Sequence, residues 1–212
     1  MSNKIIQNYT QIKNNILKST TNANLIVVSK NQPNTLIEEI LKLGHVHFGE
    51  NKFQESLNKW KMLKTFYPDT KLHFIGPIQT NKVKGISNIF DYIHSLDSDK
   101  LVDEFYNEKL NQKKKLKYFI QVNIDNEIQK RGINVSSLPN FISYCRSAKL
   151  NLIGLMCIPP MNKDQKIFFN LLKDLAEKNN LKDLSMGMSN DYEDALLIGS
   201  TWVRIGSKIF SN

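Results

Sequence analysis

Residues 183–206 read DLSMGMSNDYEDALLIGSTWVRIG, and they hold one complete structural unit. A short apolar run, Asp183 to Gly187, leads through a helix-length stretch, Asp191 to Ile198, and past Gly199 into a second run, Thr201 to Gly206. Short apolar, β-branched runs bounded by turn residues read as strands, so this segment predicts strand, helix, strand.

The same alternation extends back towards the amino terminus. Six further strand-length runs precede the quoted segment: Leu25–Ser29, His45–Gly49, Lys71–Gly76, Ile89–Ser95, Lys117–Ile124 and Leu150–Ile158. Helices are predicted between them over Thr35–Leu43, Phe53–Phe66, Lys100–Leu110, Ser136–Ser147 and Lys163–Asn179, with a connection of about two turns over Thr80–Ile86. Asn34 or Thr35 is the expected cap of the first of these, with Glu38 and Glu39 in its first turn. Eight β-α repeats predict a parallel sheet, and eight parallel strands close into an α/β fold of the (β/α)8 TIM-barrel type. Lys4–Lys18 predicts an extra helix ahead of the first strand, packed on the outside or bottom of the barrel. An open doubly wound sheet is the alternative, weakened because no G-x-G-x-x-G or Walker sequence follows the first strand.

The chain has 212 residues, 41% of them hydrophobic, enough for a sizeable core. No linker or low-complexity tract divides it, so residues 1–212 are expected to form a single domain. No apolar run reaches the roughly 18 residues of a membrane span, and the amino terminus MSNKIIQNYTQIKNN is too polar for a secretory signal. A cytoplasmic protein with no membrane partner is expected. Cys145 and Cys157 give no zinc-site spacing and read as buried thiols. The net charge of +9 invites a nucleic-acid hypothesis, but the basic residues are scattered. The one dense run, Lys113-Lys114-Lys115 with Lys117, reads as a solvated helix end or loop, and no nucleic-acid partner is expected.

In a barrel, the residues at the carboxyl ends of the strands converge on one mouth. Here they are polar. The first strand ends at Lys30, the second runs into Glu50-Asn51, the seventh supplies Ser185 and Ser189, and the eighth supplies Arg204, Gly206 and Ser207. The loops after strands seven and eight commonly hold a phosphate in barrels, and small residues with hydroxyl donors suit that task. A lysine desolvated beside a cation loses its proton readily, and its neutral amine condenses with aldehydes. Lys30 with Arg204 and a phosphate cup describes a pyridoxal phosphate site. His73 and His94 lie on the third and fourth strands, where either could face the mouth or pack inside.

Several segments resemble the pyridoxal-phosphate homeostasis protein family, whose fold is similar to the barrel domain of bacterial alanine racemase. They are LIVVSK at 25–30, HFGENKFQES at 47–56, LHFIGPIQTNK at 72–82, QVNI at 121–124 with KRGI at 130–133, GLMCIPP at 154–160 and residues 184–210. The resemblance implies that Lys30 forms the internal aldimine with pyridoxal 5'-phosphate and that Arg204 faces the pyridine nitrogen. Gly206 and Ser207, with Ser185 and Ser189, would then hold the phosphate, and Asn51, Ile75 and Met156 would surround the ring. Pro77 stands where the family often has histidine, and Lys130-Arg131-Gly132 reads as its K-x-G.

An amino-acid racemase is the enzymatic alternative. Racemisation needs two bases, and in alanine racemase the second is a tyrosine reached from another subunit's carboxy-terminal β-domain. The sequence ends at Asn212, just after the eighth strand, so that domain is expected to be missing and the chain to be a monomer. With a short-looped mouth open to water, efficient carbanion chemistry is not expected. The resemblance implies a non-catalytic protein that stores and delivers pyridoxal phosphate, with apoenzymes dependent on that cofactor as candidate recipients.

Overall fold

A computed structural model describes residues 2–19, 23–110, 114–127 and 129–211. Helix α1 (Ser2–Ser19) precedes β1 (Asn24–Val28), α2 (Asn34–Lys42), β2 (His47–Glu50), α3 (Phe53–Phe66) and β3 (Lys71–Phe74). After a 3-10 turn come α4 (Val83–Ile89), β4 (Tyr92–Leu96), α5 (Asp99–Leu110) and β5 (Lys117–Asn123). A two-residue strand β6 (Ile133–Asn134) and α6 (Leu138–Ser147) lead to β7 (Leu152–Met156) and α7 (Gln165–Lys178). The last elements are β8 (Asp183–Ser185), α8 (Tyr192–Ile198), β9 (Trp202–Ile205) and α9 (Ser207–Phe210).

Every pairing is parallel, β1 sits between β2 and β9, and the ring closes through β4 and β5. The closed eight-stranded barrel predicted from the alternation is present, and β6 pairs with β5 as an addition to it.

Alternation along each strand sorts the residues into two cores. Leu25, Val27, Phe48, Leu72, Phe74, Ile93, Ile120, Leu155, Val203 and Ile205 point outward and meet the helices in one large apolar cluster. The opposite parity points into the barrel. It gives a small cluster of Ile26, Tyr92, Phe119, Met156 and Trp202, together with the buried polar residues His73, His94, Ser185 and Arg204. Barrel interiors are usually filled by branched aliphatic residues, so this polar set is a departure that needs partners.

Helix α1 takes the expected place outside the barrel. Its buried stripe Ile5, Tyr9, Ile12 and Ile16 faces the core at helical spacing. Asn8 Nδ2 donates to the carbonyl of Ile209 at 3.2 Å, and Asn15 Nδ2 to Tyr192 Oη at 3.1 Å, tying α1 to α9 and α8.

The structure corrects several details. Helix α2 is not capped by Asn34 or Thr35: Pro33 occupies the cap position at φ −68°, so helical geometry starts at Asn34 and Glu38 and Glu39 fall beyond the first turn. The strand expected over Leu150–Ile158 shrinks to Leu152–Met156, because Leu150 belongs to the turn after α6 and Pro159-Pro160 cannot extend a ladder. Ile89 closes α4 instead of opening β4. Strand β6 and helix α9 are too short to have left a periodic signal.

Cys145 and Cys157 are buried and unpaired, and burial pushes each thiol up to about 12. Of the lysine run, Lys113 lies outside the described residues, and Lys114 pairs with Asp91 at 3.1 Å. Among the described residues, no helix is long and apolar enough to cross a membrane.

Candidate functional site

The carboxyl ends of the strands open onto a cavity of about 580 Å³. Lys30, Asn51, Ile75, Ser189, Arg204, Gly206 and Ser207 line it, so seven residues singled out from the sequence meet in one place. Gly76, Pro77, Ile158, Met161 and Asp191 complete much of the wall. Two of the expected residues lie elsewhere. Met156 is in the apolar cluster inside the barrel, and Ser185 is wholly buried behind Arg204.

Lys30 sits in the turn after β1. It is exposed, and its amine has no hydrogen-bond or ion-pair partner among the described residues. The desolvation invoked for it from sequence is therefore absent from the open mouth. Its backbone, by contrast, is pinned on both sides. Ser29 Oγ donates to Glu50 Oε1 at 2.7 Å, and the Ser29 carbonyl accepts from Lys59 Nζ at 2.8 Å. On the other side the Asn31 amide donates to Glu55 Oε1 at 2.7 Å, with Asn31 in the left-handed region at φ 59°. Lys59 joins the two carboxylates, 3.0 Å from Glu50 and 3.0 Å from Glu55, and Trp60 Nε1 adds a third donor to Glu50 Oε1 at 3.1 Å. Glu50, Glu55 and Lys59 are the supports that sequence reasoning missed. Glu50 stands beside Asn51 in the quoted HFGENKFQES segment, and Glu55 and Lys59 stand four apart on one face of α3.

Arg204 is 4% exposed and belongs to β9. Its Nη1 donates to Ser185 Oγ at 2.6 Å and its Nη2 to the Cys157 carbonyl at 2.9 Å. Both partners are neutral, and among the described residues no carboxylate pairs with it. A buried cation in direct contact with no carboxylate is costly, with Asp191 acting on it only from farther along the cavity wall, so a nearby anionic or lone-pair-bearing ligand would be favoured. Asn51 gives a second sign: its Oδ1 is buried on the cavity wall with no partner.

The wall opposite comes from the segments after β8 and β9. Gly187 adopts φ 89°, and a Cβ there would stand 2.6 Å from Ala195 Cβ, so glycine is needed for α8 to pack close. That turn presents Ser189, whose Oγ accepts from Ser207 Oγ at 2.9 Å. Ser207 opens α9, and the Lys208 amide behind it donates to Ser189 Oγ at 3.4 Å. Two hydroxyls and the Arg204 guanidinium make this side of the cavity a donor surface suited to an anion.

His73 and His94 face the barrel interior and do not line the cavity. His73 stacks on Tyr92 with centroids 4.1 Å apart, and His94 on Phe119 at 4.3 Å. Burial holds both imidazoles well below their usual pKa.

A closed parallel barrel with a lysine after its first strand and an arginine on its last is the architecture of a known class. The family described as alanine racemase, N-terminal domain, matches over residues 2–211. Within that class, the chain belongs to the pyridoxal phosphate homeostasis protein family. It is 38% identical over 199 residues to the pyridoxal phosphate homeostasis protein of Vibrio alginolyticus, covering 88% of this chain and 84% of that one. It is 34% identical to the Pasteurella multocida protein of the same name, covering 97% and 96%. Among solved structures, PipY of Synechococcus elongatus with pyridoxal phosphate bound superposes with a TM-score of 0.85 at 28% identity, over 98% of this chain and all of that one. Alanine racemase of Bacillus anthracis shares the fold, with a TM-score of 0.74 at 16% identity over 56% of its length.

Proposed function

We propose that this protein binds pyridoxal 5'-phosphate in the cavity at the barrel mouth and holds it reversibly on Lys30. With the cofactor bound, the Lys30 amine would be the nucleophile for its aldehyde carbon, in a condensation that releases the carbonyl oxygen as water. The reverse reaction returns the free cofactor. In this reading Arg204 meets the ring nitrogen, Ser189, Gly206 and Ser207 take the phosphate, and Asn51 and Ile75 flank the ring. Ser185 and Met156 support the site from beneath.

The observation that carries this reading is Arg204, a buried guanidinium with only neutral partners, sharing its cavity with an unpartnered lysine amine. The names of the relatives and the cofactor bound to PipY support the same assignment. The role we infer is intracellular storage and delivery, by a monomer acting as one domain in the cytoplasm, to apoenzymes that need the cofactor. Turnover is not part of it. Among the described residues no tyrosine lines the cavity, and the lining carboxylate Asp191 accepts the Met188 amide at 2.5 Å through one of its oxygens.

The test is direct. Protein incubated with pyridoxal 5'-phosphate and desalted should show a visible aldimine band, borohydride should fix the label, and mass mapping should place it on Lys30. Lys30→Ala should lose the band. A colourless wild-type protein, or a label elsewhere, overturns the assignment. Loss of optical activity from added L-amino acids, well above that caused by free cofactor, would instead favour the racemase.

A further inference from the structure

Three histidines form a single file through the barrel. His47 Nδ1 lies 3.0 Å from His73 Nε2, His73 Nδ1 lies 2.9 Å from His94 Nε2, and His94 Nδ1 lies 2.8 Å from Ser185 Oγ. Ser185 Oγ then accepts from Arg204 at 2.6 Å. The rings come from three adjacent strands, β2, β3 and β4, and the file crosses the interior to β8 and β9. It is not a metal site: among the described residues, no group of histidine, cysteine and carboxylate side chains is arranged to hold an ion.

The guanidinium fixes the direction of the file. Arginine only donates, so Ser185 Oγ must accept from it. The serine hydrogen then needs an acceptor, and His94 Nδ1 is the one within reach. His94 must therefore carry its proton on Nε2 and donate to His73 Nδ1, and His73 in turn donates from Nε2 to His47 Nδ1. The reverse order would strand the serine hydrogen in a dry interior, a loss of about 1–3 kcal/mol. A second proton on His73 or His47 would set two N–H groups against each other, and one on His94 would displace the serine hydrogen.

Aliphatic side chains would fill this space without any desolvation cost. Three imidazoles in series become intelligible through what they support. A carboxylate beside Arg204 would hold it equally well but would cancel its charge. A file of neutral dipoles instead orients the guanidinium without pairing its charge, which stays directed at the cavity.

The geometry points to His94, His73 and His47 as positioning residues: a one-way file of neutral imidazoles that holds Ser185 and Arg204 in register for the ligand. Its consequence for the ligand rests on the pyridoxal phosphate reading above; the file itself does not.

Two measurements on the full chain test it. Nitrogen–proton correlation spectra of the cofactor-free protein at pH 7 should show all three imidazoles neutral with the proton on Nε2. A proton on Nδ1 in any of them overturns the proposal, whether or not the protein takes up pyridoxal phosphate. Next, His94→Gln keeps one acceptor and one donor in line, whereas His94→Phe keeps only the volume. The Gln variant should bind pyridoxal 5'-phosphate with the wild-type absorption maximum, and the Phe variant should bind about tenfold more weakly with a shifted maximum. Equal behaviour of the two variants, both like wild type or both impaired, overturns the positioning role. If wild-type protein takes up no pyridoxal phosphate, the cofactor reading fails, and the proton positions alone decide for or against the file.

Discussion

At the scale of single residues, the turn that carries Lys30 depends on a carboxylate the cavity never touches. Glu50 is fully buried and its Oε1 accepts from Ser29, Lys59 and Trp60. Removing one partner of a buried ion pair leaves the other exposed to the full desolvation cost, so Glu50→Ala should lower unfolding stability by about 3 kcal/mol at pH 7. Urea denaturation measures this, and a loss under about 1 kcal/mol would show that the clamp is dispensable. Arg204→Met makes the complementary case. It removes donors to Ser185 and Cys157 and the charge facing the cavity, and it should weaken pyridoxal phosphate binding by about 1.5–3 kcal/mol, read by spectral titration. Lys30 and Arg204 were legible in the sequence because each ends or interrupts an apolar run where a barrel delivers chemistry. Glu50 with Lys59, and the histidine file, were not. Their partners meet across strand-to-helix, neighbouring-strand and cross-barrel separations of 9, 26, 21 and 91 residues, which no local spacing reports.

At the scale of elements, strands were readable because outward-facing residues of each one are apolar and closely spaced. Their margins were less so, since His45, Ile89 and Leu150 are apolar or aromatic without being paired. What aligns the strands is partly the absence of side chains. A Cβ on Gly154 would stand 1.9 Å from the Asp183 carbonyl oxygen, across the β7–β8 pairing. Gly154→Ala must therefore push two strands apart, and a loss of about 1–3 kcal/mol is expected. Because β8 carries Ser185, the same variant should also weaken cofactor uptake, which a spectral titration beside thermal unfolding would show. Unchanged melting would contradict this account of the packing.

For the molecule as a whole, the buried histidines set the acid limit. Burial lowers His45 and His47 from 6.5 to about 4, and holds His73 and His94 well below 6.5. Between pH 4 and 6.5 the unfolded chain binds protons that the folded chain refuses, so stability rises with pH in that window. The contribution is complete above the unfolded value and is lost as pH falls towards 4, by about 3 kcal/mol for each of His45 and His47. Denaturation midpoints at pH 7 and pH 5 should differ accordingly, and a flat profile would mean that these rings are solvated.

The ring of strands also imposes an order in time. Its last pairing joins β1 to β9, whose neighbouring residues Asn24 and Thr201 lie 177 positions apart. Contacts between sequence neighbours form early, whereas so distant a pairing must first meet the entropy of closing nearly the whole chain. Lys30 follows the first strand and Arg204 belongs to the last, so the cavity exists only once that seam has formed. During refolding, recovery of far-ultraviolet circular dichroism should therefore precede the return of pyridoxal phosphate binding, and a ribosome-bound chain lacking β9 should take up none.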